Sequence, residues 1–445
     1  MAEGVTLDYA TAGAPKPPLA AGVRLRLSVL MFLQFAVWGA WFIVFSNYCM
    51  APKSAGGLGF DGSQTGRLYG TMALGAIIST LFAGQLADRL MSSEYLMAIF
   101  HLAGAVLLYC MATVHGYTAL WCVSLAYALL YNPTIALSNS ISFHNVPDAA
   151  RDFPTLRVLG TIGWIVANVA VGRLLPHLSH MTAEQVANSN QPLLMAAMLS
   201  VVLGLFSFAL PHTPPSGKKG DTIPFIRALR LLRDPSFAIF FSISFLITIG
   251  MAFYYGFLGK FEQSVGIQDV ATTSVIGQAV EILFMLLLPL ALLRLGMKWV
   301  LGIGMAAWVV RYGLFSLGHP LVLILLGIAL HGVCFDFFFA AGFIHTDNKS
   351  PADIRASAQA FYMFLTYGVG MWIGNIVSGQ VVSHFTAASG AIDWTKVWAI
   401  PAVIAAFCLI LFIVLWHDRP GKLGDATEAQ AGVPAQAVAV PGIEP

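Results

Sequence analysis

Residues 271–294 of this 445-residue chain read ATTSVIGQAVEILFMLLLPLALLR. Only Glu281 and Arg294 carry a charge in this stretch, and the other residues are mostly apolar. An α-helix needs about 20 mostly apolar residues to cross the hydrocarbon core of a bilayer. The stretch is therefore predicted to be a membrane-spanning helix that holds a carboxyl group in its interior.

Eleven further apolar segments have a similar length and pattern. They are predicted at residues 26–49, 66–87, 95–113, 118–143, 155–176, 191–211, 236–259, 298–317, 320–344, 355–383 and 395–416. Backbone polar groups inside a bilayer must be bonded within the spanning element, and barrel strands are only about 10 residues long. The segments are therefore predicted to be helices, which gives an all-α membrane protein with twelve transmembrane helices.

The composition excludes other classes of protein. Hydrophobic residues make up 58% of the chain and charged residues only 10%, whereas soluble domains have about 25% charged residues. The net charge of +2 gives no basic surface for a nucleic-acid partner. The sequence also has no zinc-ligand spacing, nucleophile elbow or phosphate loop, so we expect no enzyme activity, no metal site and no cofactor.

Lysine and arginine predict the orientation of the helices. If the N-terminus is cytoplasmic, seventeen of these residues lie on the cytoplasmic side and five on the outer side, in agreement with the positive-inside rule. An even number of spans then places both termini in the cytoplasm. We expect a multi-pass protein of the cell inner membrane, and a monomer.

The longest loop between spans divides the twelve helices into two six-helix halves. The predicted units are a disordered N-terminus at 1–23, an N-terminal half at 24–211, a basic cytoplasmic linker at 212–235, a C-terminal half at 236–417 and a disordered tail at 418–445. Two related halves around a site at the midplane of the membrane are typical of secondary transporters.

Two helix faces in the N-terminal half combine polar and aromatic side chains. Arg157, Thr161 and Trp164 recur at i, i+4 and i+7, so they share one face of the fifth span. That face is either the wall of a cavity or, for Arg157, an interfacial position from which the side chain reaches the headgroups. Gln34 and Trp38 share a face of the first span, and they either line a cavity or pack helices together.

The C-terminal half places ionisable groups inside its spans, where a charge costs at least about 2.5–3.5 kcal/mol and usually marks a functional site. Gln278 and Glu281 are at i and i+3 and share a face. Because low dielectric favours a neutral carboxyl group, Glu281 is a candidate proton carrier; the alternative is a structural bond between helices. His331 and Phe335 precede Asp336 in the tenth span, where the acid is either paired or protonated and the aromatic rings can stack a planar ligand.

Arg311 in the ninth span has no polar neighbour at i±3 or i±4. A buried arginine is an expensive residue to place in a membrane helix without a partner. Arg311 is therefore predicted to pack between helices, with its partner on another span.

Residues 84–89, GQLADR, close the second span on its cytoplasmic side and resemble the G-x-L-A-D-R loop motif of the major facilitator superfamily. Gly84 permits close helix approach, and Asp88 and Arg89 can hold neighbouring helix ends by charge-assisted hydrogen bonds. We interpret the three residues as a conformational latch that forms in one state and opens in another. The alternative is an ordinary charged loop end.

Several longer segments resemble the bacterial nucleoside:proton symporter family within that superfamily. They are LQF at 33–35, WG at 38–39, DFPTLRVLGTIG at 152–163, CFDFF at 334–338, IRASAQ at 354–359, IVSG at 376–379 and DW at 393–394. The similarity runs from about residue 27 to residue 415. It implies the major facilitator fold and a carrier that imports nucleosides with protons by alternating access, through a midplane site between the halves.

The resemblance also implies roles for individual residues. Substrate-binding positions of the family carry over at Arg157, Thr161, Gln278, Glu281, Phe335 and Asp336. The resemblance implicates Asp336 in proton coupling and Glu281 in substrate binding.

Some positions depart from the family pattern. Trp164 replaces a phenylalanine, His331 replaces a tyrosine, and Gly250 and Phe253 replace two amides of the seventh span. We include Trp164 and His331 among the substrate-binding candidates. Phe253 and the adjacent Tyr254 are further cavity candidates. Because two hydrogen-bonding groups are missing, a carrier for sugars or other small polar solutes, or an exporter, remains the alternative function.

Overall fold

The computed structural model describes residues 17–89, 91–215, 226–351 and 354–416. These ranges are helical, and one isolated β-bridge joins Thr386 to Ile392. The predictions of disorder at residues 1–16 and 418–445, and the basic cluster of the linker at 216–225, lie outside the described residues.

The N-terminal half contains nine α-helices and one π-helical turn within the described ranges. They are α1 (Ala21–Gly39), α2 (Phe45–Met50), α3 (Gly62–Arg89), α4 (Ser93–Thr113), α5 (Tyr117–Asn145), α6 (Ala149–Val169), the π-helical turn Ala170–Leu174, α7 (Leu175–Ser179), α8 (Ala183–Ala187) and α9 (Gln191–Ser207).

A short 3₁₀ helix, Ile226–Arg233, leads into the C-terminal half. That half contains α10 (Pro235–Ser264), α11 (Val270–Leu317), α12 (Leu321–Ala329), α13 (His331–Cys334), the π-helical turn Phe335–Ala340, α14 (Ala341–Lys349), α15 (Arg355–Met363), the π-helical turn Phe364–Gly370, α16 (Met371–His384) and α17 (Trp394–Leu415).

These elements make twelve membrane crossings, as predicted. Nine described helices, counted with their continuous extensions, are long and apolar enough to span a bilayer. One of them, α11, supplies two crossings, because Gly296 adopts a φ of 76° and breaks the helix in its middle. The polar-faced α3 and the shorter α9 complete the twelve.

The outer surface of the helix bundle is apolar. Large hydrophobic side chains such as Leu293, which is 85% exposed, and Leu286 project away from the core. Exposed apolar area of this extent matches a protein surrounded by lipid. The chain is therefore a multi-pass membrane protein.

The two halves meet most closely at one end of the bundle. We call this the distal end, because it is opposite to the end where α1 begins and α17 finishes. There α3 and α16 touch backbone to backbone: a Cβ atom on Gly66 would collide with the carbonyl oxygen of Asn375, and one on Gly379 would lie 2.6 Å from that of Gly62. Only glycine allows this approach.

Polar contacts between the halves also lie at the distal end. The Asn47 side chain donates to the carbonyl oxygen of Gly259 at 3.0 Å. Gln263 donates to the Asn188 side chain at 3.0 Å. These bonds and the glycine contact hold the distal end closed in this conformation.

We predict that Gly66→Ala and Gly379→Ala shift the protein away from the conformation closed at the distal end. Overpacking of a tight contact costs about 1–3 kcal/mol, which shifts a conformational equilibrium about 5- to 150-fold. The measurement is the distance distribution between spin labels at Lys53 and Ser389, on opposite halves of the distal end, which gains a longer component in each variant.

Gly302→Ala is the matched control, because no atom lies within 4 Å of a Cβ built on this helical glycine. An unchanged distance distribution in both Gly66→Ala and Gly379→Ala would show that the contact does not control closure.

Candidate functional site

A cavity that opens to solvent lies between the two halves, with about 70 Å³ of space for the centres of water-sized molecules; we call it the interface cavity. Its walls come from α1, α3 and α5 on one side and from α10, α15, the following π-helical turn and α16 on the other. The lining residues are Trp38, Phe42, Tyr69, Met72, Ala73, Ala76, Ile77, Asn132, Tyr255, Met363, Phe364, Tyr367, Gly368, Met371 and Asn375.

Trp38 is the one predicted site residue among the lining residues. Its ring meets that of Trp164 edge to face, with centroids 5.2 Å apart. The two helices are close enough for this contact because Gly39 has no side chain: a Cβ atom there would lie 3.0 Å from the Trp164 backbone. Trp164 therefore supports the cavity wall from behind Trp38.

Gln34 belongs to a hydrogen-bonded network inside the N-terminal half. Its side-chain nitrogen donates to the Thr134 hydroxyl at 2.8 Å, and its side-chain oxygen lies 2.9 Å from Nε2 of His101. Both polar atoms are thus satisfied by protein. This arrangement supports the helix-packing interpretation of Gln34.

Arg157 and Thr161 lie on α6, farther from the distal end than Arg173, where an ion pair joins this span to the other half. The guanidinium of Arg157 stacks over the ring of Phe35 at 4.1 Å, while Thr161 is partly exposed. An ion pair of 2.8 Å between Arg173 and Asp269 joins the fifth and eighth spans at the distal end. Thr161 precedes Arg173 by twelve residues and Glu281 follows Asp269 by twelve, so both lie about 18 Å below the pair and at the same depth.

Three residues form a buried polar chain in the C-terminal half. Nη1 of Arg311 lies 3.0 Å from Nδ1 of His331, and Nε2 of His331 lies 3.6 Å from Oε2 of Glu281. A guanidinium can only donate hydrogen bonds, so Nδ1 must be the acceptor and Nε2 carries the imidazole proton. His331 therefore presents an N–H group to Glu281. The partner that Arg311 was predicted to have is His331.

Aromatic side chains surround this chain. The Tyr254 ring stacks on His331 with centroids 5.1 Å apart, and the Arg311 guanidinium lies 3.5 Å from the Tyr254 centroid, a cation–π contact. Phe335 lies 5.8 Å from His331. Tyr254 is therefore placed on the polar chain rather than in the interface cavity, and the equally buried Phe253 does not line that cavity either.

Asp336 is completely buried and, with Phe335, begins the π-helical turn of the tenth span. Turns of this kind are rare and frequently lie at functional sites. The turn at Phe364–Gly370 contributes Phe364, Tyr367 and Gly368 to the interface cavity. The first turn therefore lies beside the polar chain, through Phe335, and the second turn lines the interface cavity.

Gln278 is completely buried, yet neither polar atom of its amide has a hydrogen-bond partner within the described part of the chain. A buried polar group left unbonded costs about 1–3 kcal/mol. The Gln278 amide, three residues before Glu281, is therefore available to form hydrogen bonds with a polar ligand.

The sequence did not single out most of the cavity wall. Its polar members beyond Trp38 are Tyr69, Asn132, Tyr255, Tyr367 and Asn375. An asparagine next to a proline inside an apolar span, as in Asn132-Pro133, was an available signal. Glu262, a completely buried acid bonded by Ser274 at 3.2 Å, lies just beyond the predicted end of the seventh span.

Gly250, where the family resemblance places an amide, is directed away from the interface cavity. A Cβ atom there would lie 3.6 Å from Pro401 and 3.6 Å from Tyr312, between the seventh, ninth and twelfth spans. The loss of an amide at this position therefore does not remove a group from that cavity.

Comparisons with known proteins agree with this architecture. The family described as nucleoside H+ symporter matches residues 21–420. A putative nucleoside transporter of Escherichia coli, YegT, is 36% identical over 411 residues, covering 89% of this chain and 95% of that protein. The nucleoside permease NupG of Escherichia coli is 33% identical over 422 residues, covering 89% and 97%. The crystal structure of the nucleoside transporter NupG superposes with a TM-score of 0.79, at 32% identity, covering 89% of this chain and all of that one.

Twelve helices in two six-helix halves with a cavity between them define a transporter of the major facilitator fold. Within that fold, the chain belongs to the nucleoside H+ symporter family.

We predict that His331→Leu lowers the stability of the protein by about 1.5–3 kcal/mol, because the buried Arg311 loses its hydrogen-bond acceptor. Thermal unfolding of the purified protein in detergent measures the change. His177→Leu, at an exposed position on α7, is the control. Equal melting temperatures for the two variants would mean that the Arg311–His331 bond contributes no stability.

Proposed function

We propose that this protein is a proton-coupled symporter that imports nucleosides by alternating access. The observation that carries the proposal is the unbonded amide of Gln278, buried beside the Glu281–His331–Arg311 chain. A nucleoside offers hydroxyl groups and base edges that can bond an amide and a carboxylate, and Thr161 lies at the same depth on the facing half. The family supplies the substrate class.

Proton coupling follows from the charges buried in the C-terminal half. Arg311 is the one arginine or lysine fully buried in its described residues, whereas Glu262, Glu281 and Asp336 are three buried acids. One cation cannot balance three carboxylates inside a membrane protein, so this half carries excess negative charge unless protons bind. We assign the coupling proton to Asp336 and Glu281.

The proposal includes the orientation in the membrane. The distal end is the outer face, and both termini lie in the cytoplasm, as the positive-inside rule requires. The halves at 24–211 and 236–417 rock about the cavity as two bodies joined by the linker at 212–235. Gly84, Asp88 and Arg89 form the latch at the cytoplasmic end of α3; their side chains lie outside the described residues. The protein acts as a monomer of the inner membrane without cofactor or enzyme activity.

Uptake of labelled uridine and adenosine into proteoliposomes tests the proposal. Accumulation driven by an inward proton gradient and abolished by a protonophore is the expected result. Competition with ribose and glucose identifies the alternative, because a sugar carrier would take up those solutes and neither nucleoside. Proton-driven efflux of nucleoside instead of import would identify an exporter.

We predict that Asp336→Asn abolishes gradient-driven accumulation, because the amide cannot carry the coupling proton, while exchange of uridine across the membrane continues. The measurement compares accumulation with counterflow in the same vesicles. Asp393→Asn, at an exposed acid outside the spans, is the control. Unchanged accumulation in Asp336→Asn would remove this residue from the coupling step.

A further inference from the structure

Two residues that line the interface cavity each carry a buried polar atom that has no bonding partner among the described residues. Nε1 of Trp38, a residue 3% exposed, has no hydrogen-bond acceptor among the described residues. Oδ1 of Asn375, a residue 2% exposed, likewise has no donor there. Buried polar groups in folded proteins are nearly always bonded. Two such atoms, carried by residues on opposite walls of one cavity, indicate that a bound ligand supplies their hydrogen-bond partners.

The backbone fixes both groups in place. The contact of α3 with α16 at Gly66 and Gly379 sets the position of Asn375, and the Ser378 hydroxyl bonds its carbonyl oxygen at 3.1 Å. Gly256 of α10 lies beside this amide, and a Cβ atom there would be in ordinary van der Waals contact with Oδ1, at 3.6 Å. Trp38 is held between aromatic rings, with Phe42 centred 5.2 Å away.

The walls between the two groups are flat and apolar. Phe42 and Tyr69 line one side, with the Tyr69 hydroxyl bonded to the Phe42 carbonyl oxygen at 2.6 Å so that its ring cannot swing away. Tyr255 and Tyr367 line the other side. Aromatic side chains stack bases of any sequence because every base presents a π-face.

The two polar groups restrict the chemistry of the ligand. The indole N–H of Trp38 can only donate, so it requires an acceptor on the ligand, whereas an asparagine amide both accepts and donates. A planar molecule with a neighbouring donor and acceptor on its edge satisfies the amide in a bidentate pair, as a nucleobase does. A nucleobase adds a planar π-face to this edge, whereas a sugar presents only C–H groups to the aromatic walls.

We infer that the interface cavity binds the nucleobase, and that Trp38 and Asn375 determine which base is accepted. The inference rests on the proposed function and adds the location of the base. Asn375 and, on the facing wall, Asn132 are the two amide side chains among the lining residues. Because Trp38 and Asn375 belong to different halves, a base that bonds both senses the position of one half relative to the other.

The Glu281–His331–Arg311 chain lies behind one wall of this cavity. Tyr255 forms the cavity wall and meets His331 edge to face, with centroids 6.0 Å apart. The wall therefore separates the base from the Glu281–His331–Arg311 chain by one aromatic ring.

Base selectivity of the full-length protein in proteoliposomes tests the inference. Uptake of labelled uridine is inhibited with unlabelled uridine, cytidine or ribose, and the ratio of the inhibition constants is determined for each variant. Asn375→Asp replaces the donating N–H group with an acceptor, which suits the amino group of cytosine. We expect the ratio to shift toward cytidine by at least about fivefold. We expect Asn375→Ala to reduce discrimination between the two bases. We expect Trp38→Phe to weaken inhibition by both uridine and cytidine without changing inhibition by ribose.

The matched control is Asn168→Ala. Asn168 lies on the fifth span, is buried, and donates to the Trp164 carbonyl oxygen at 3.0 Å rather than lining the cavity. Its variant should keep the wild-type ratio even if total uptake falls. The ratio does not depend on the amount of active protein, so partial misfolding of a variant cannot imitate the expected shift. If an Asn375 variant gives no uptake, Asn375→Ser is measured in its place.

The possible results distinguish the inference about the cavity from the proposed function. If the wild-type protein takes up uridine but Asn375→Asp and Asn375→Ala both keep its selectivity ratio within twofold, the inference about the cavity is overturned and the proposed function stands. If the wild-type protein takes up neither uridine nor adenosine, the proposed function itself is overturned.

Discussion

The backbone contact between α3 and α16 determines the geometry of the interface between the two halves. Gly66 and Gly379 allow the helices to touch where any larger residue would hold them apart. The contact closes the distal end. The same two helices line the interface cavity, which begins one to two turns away from the closed region. It also fixes Asn375, whose carbonyl oxygen lies against Gly66. Closure and ligand recognition thus depend on one helix pair.

A buried guanidinium imposes the second constraint. Arg311 cannot lose its charge, so its surroundings must supply acceptors and π-faces, which His331 and Tyr254 do. The consequence reaches Glu281, because an imidazole that accepts at Nδ1 must hold its proton at Nε2. One fixed cation therefore orients the polar group next to the acid that we assign to proton coupling.

The fold was predictable from sequence because a bilayer leaves few alternatives: apolar runs of 20 residues must be helices. The helix faces that carry Gln278 and Glu281 were predictable from spacing for the same reason. The walls of the interface cavity were not, because Tyr69, Asn132 and Asn375 lie on three separate spans and their proximity depends on how the halves pack. Spacing along one helix also could not distinguish Gln34, satisfied by Thr134 and His101, from Gln278, which has no partner.

The two halves contribute different chemistry to the site. The N-terminal half supplies aromatic surface through Trp38 and Phe42, and its buried amide Gln34 is already bonded within the half. The C-terminal half supplies the buried acids, the unbonded amide of Gln278 and the unbonded Oδ1 of Asn375. Stacking tolerates small displacements, whereas hydrogen bonds and charges require defined positions. In the arrangement that we propose, stacking on the aromatic walls tolerates small rotations of the halves. A larger rotation separates Trp38 from Asn375, breaks the directional bonds to the base and releases the substrate.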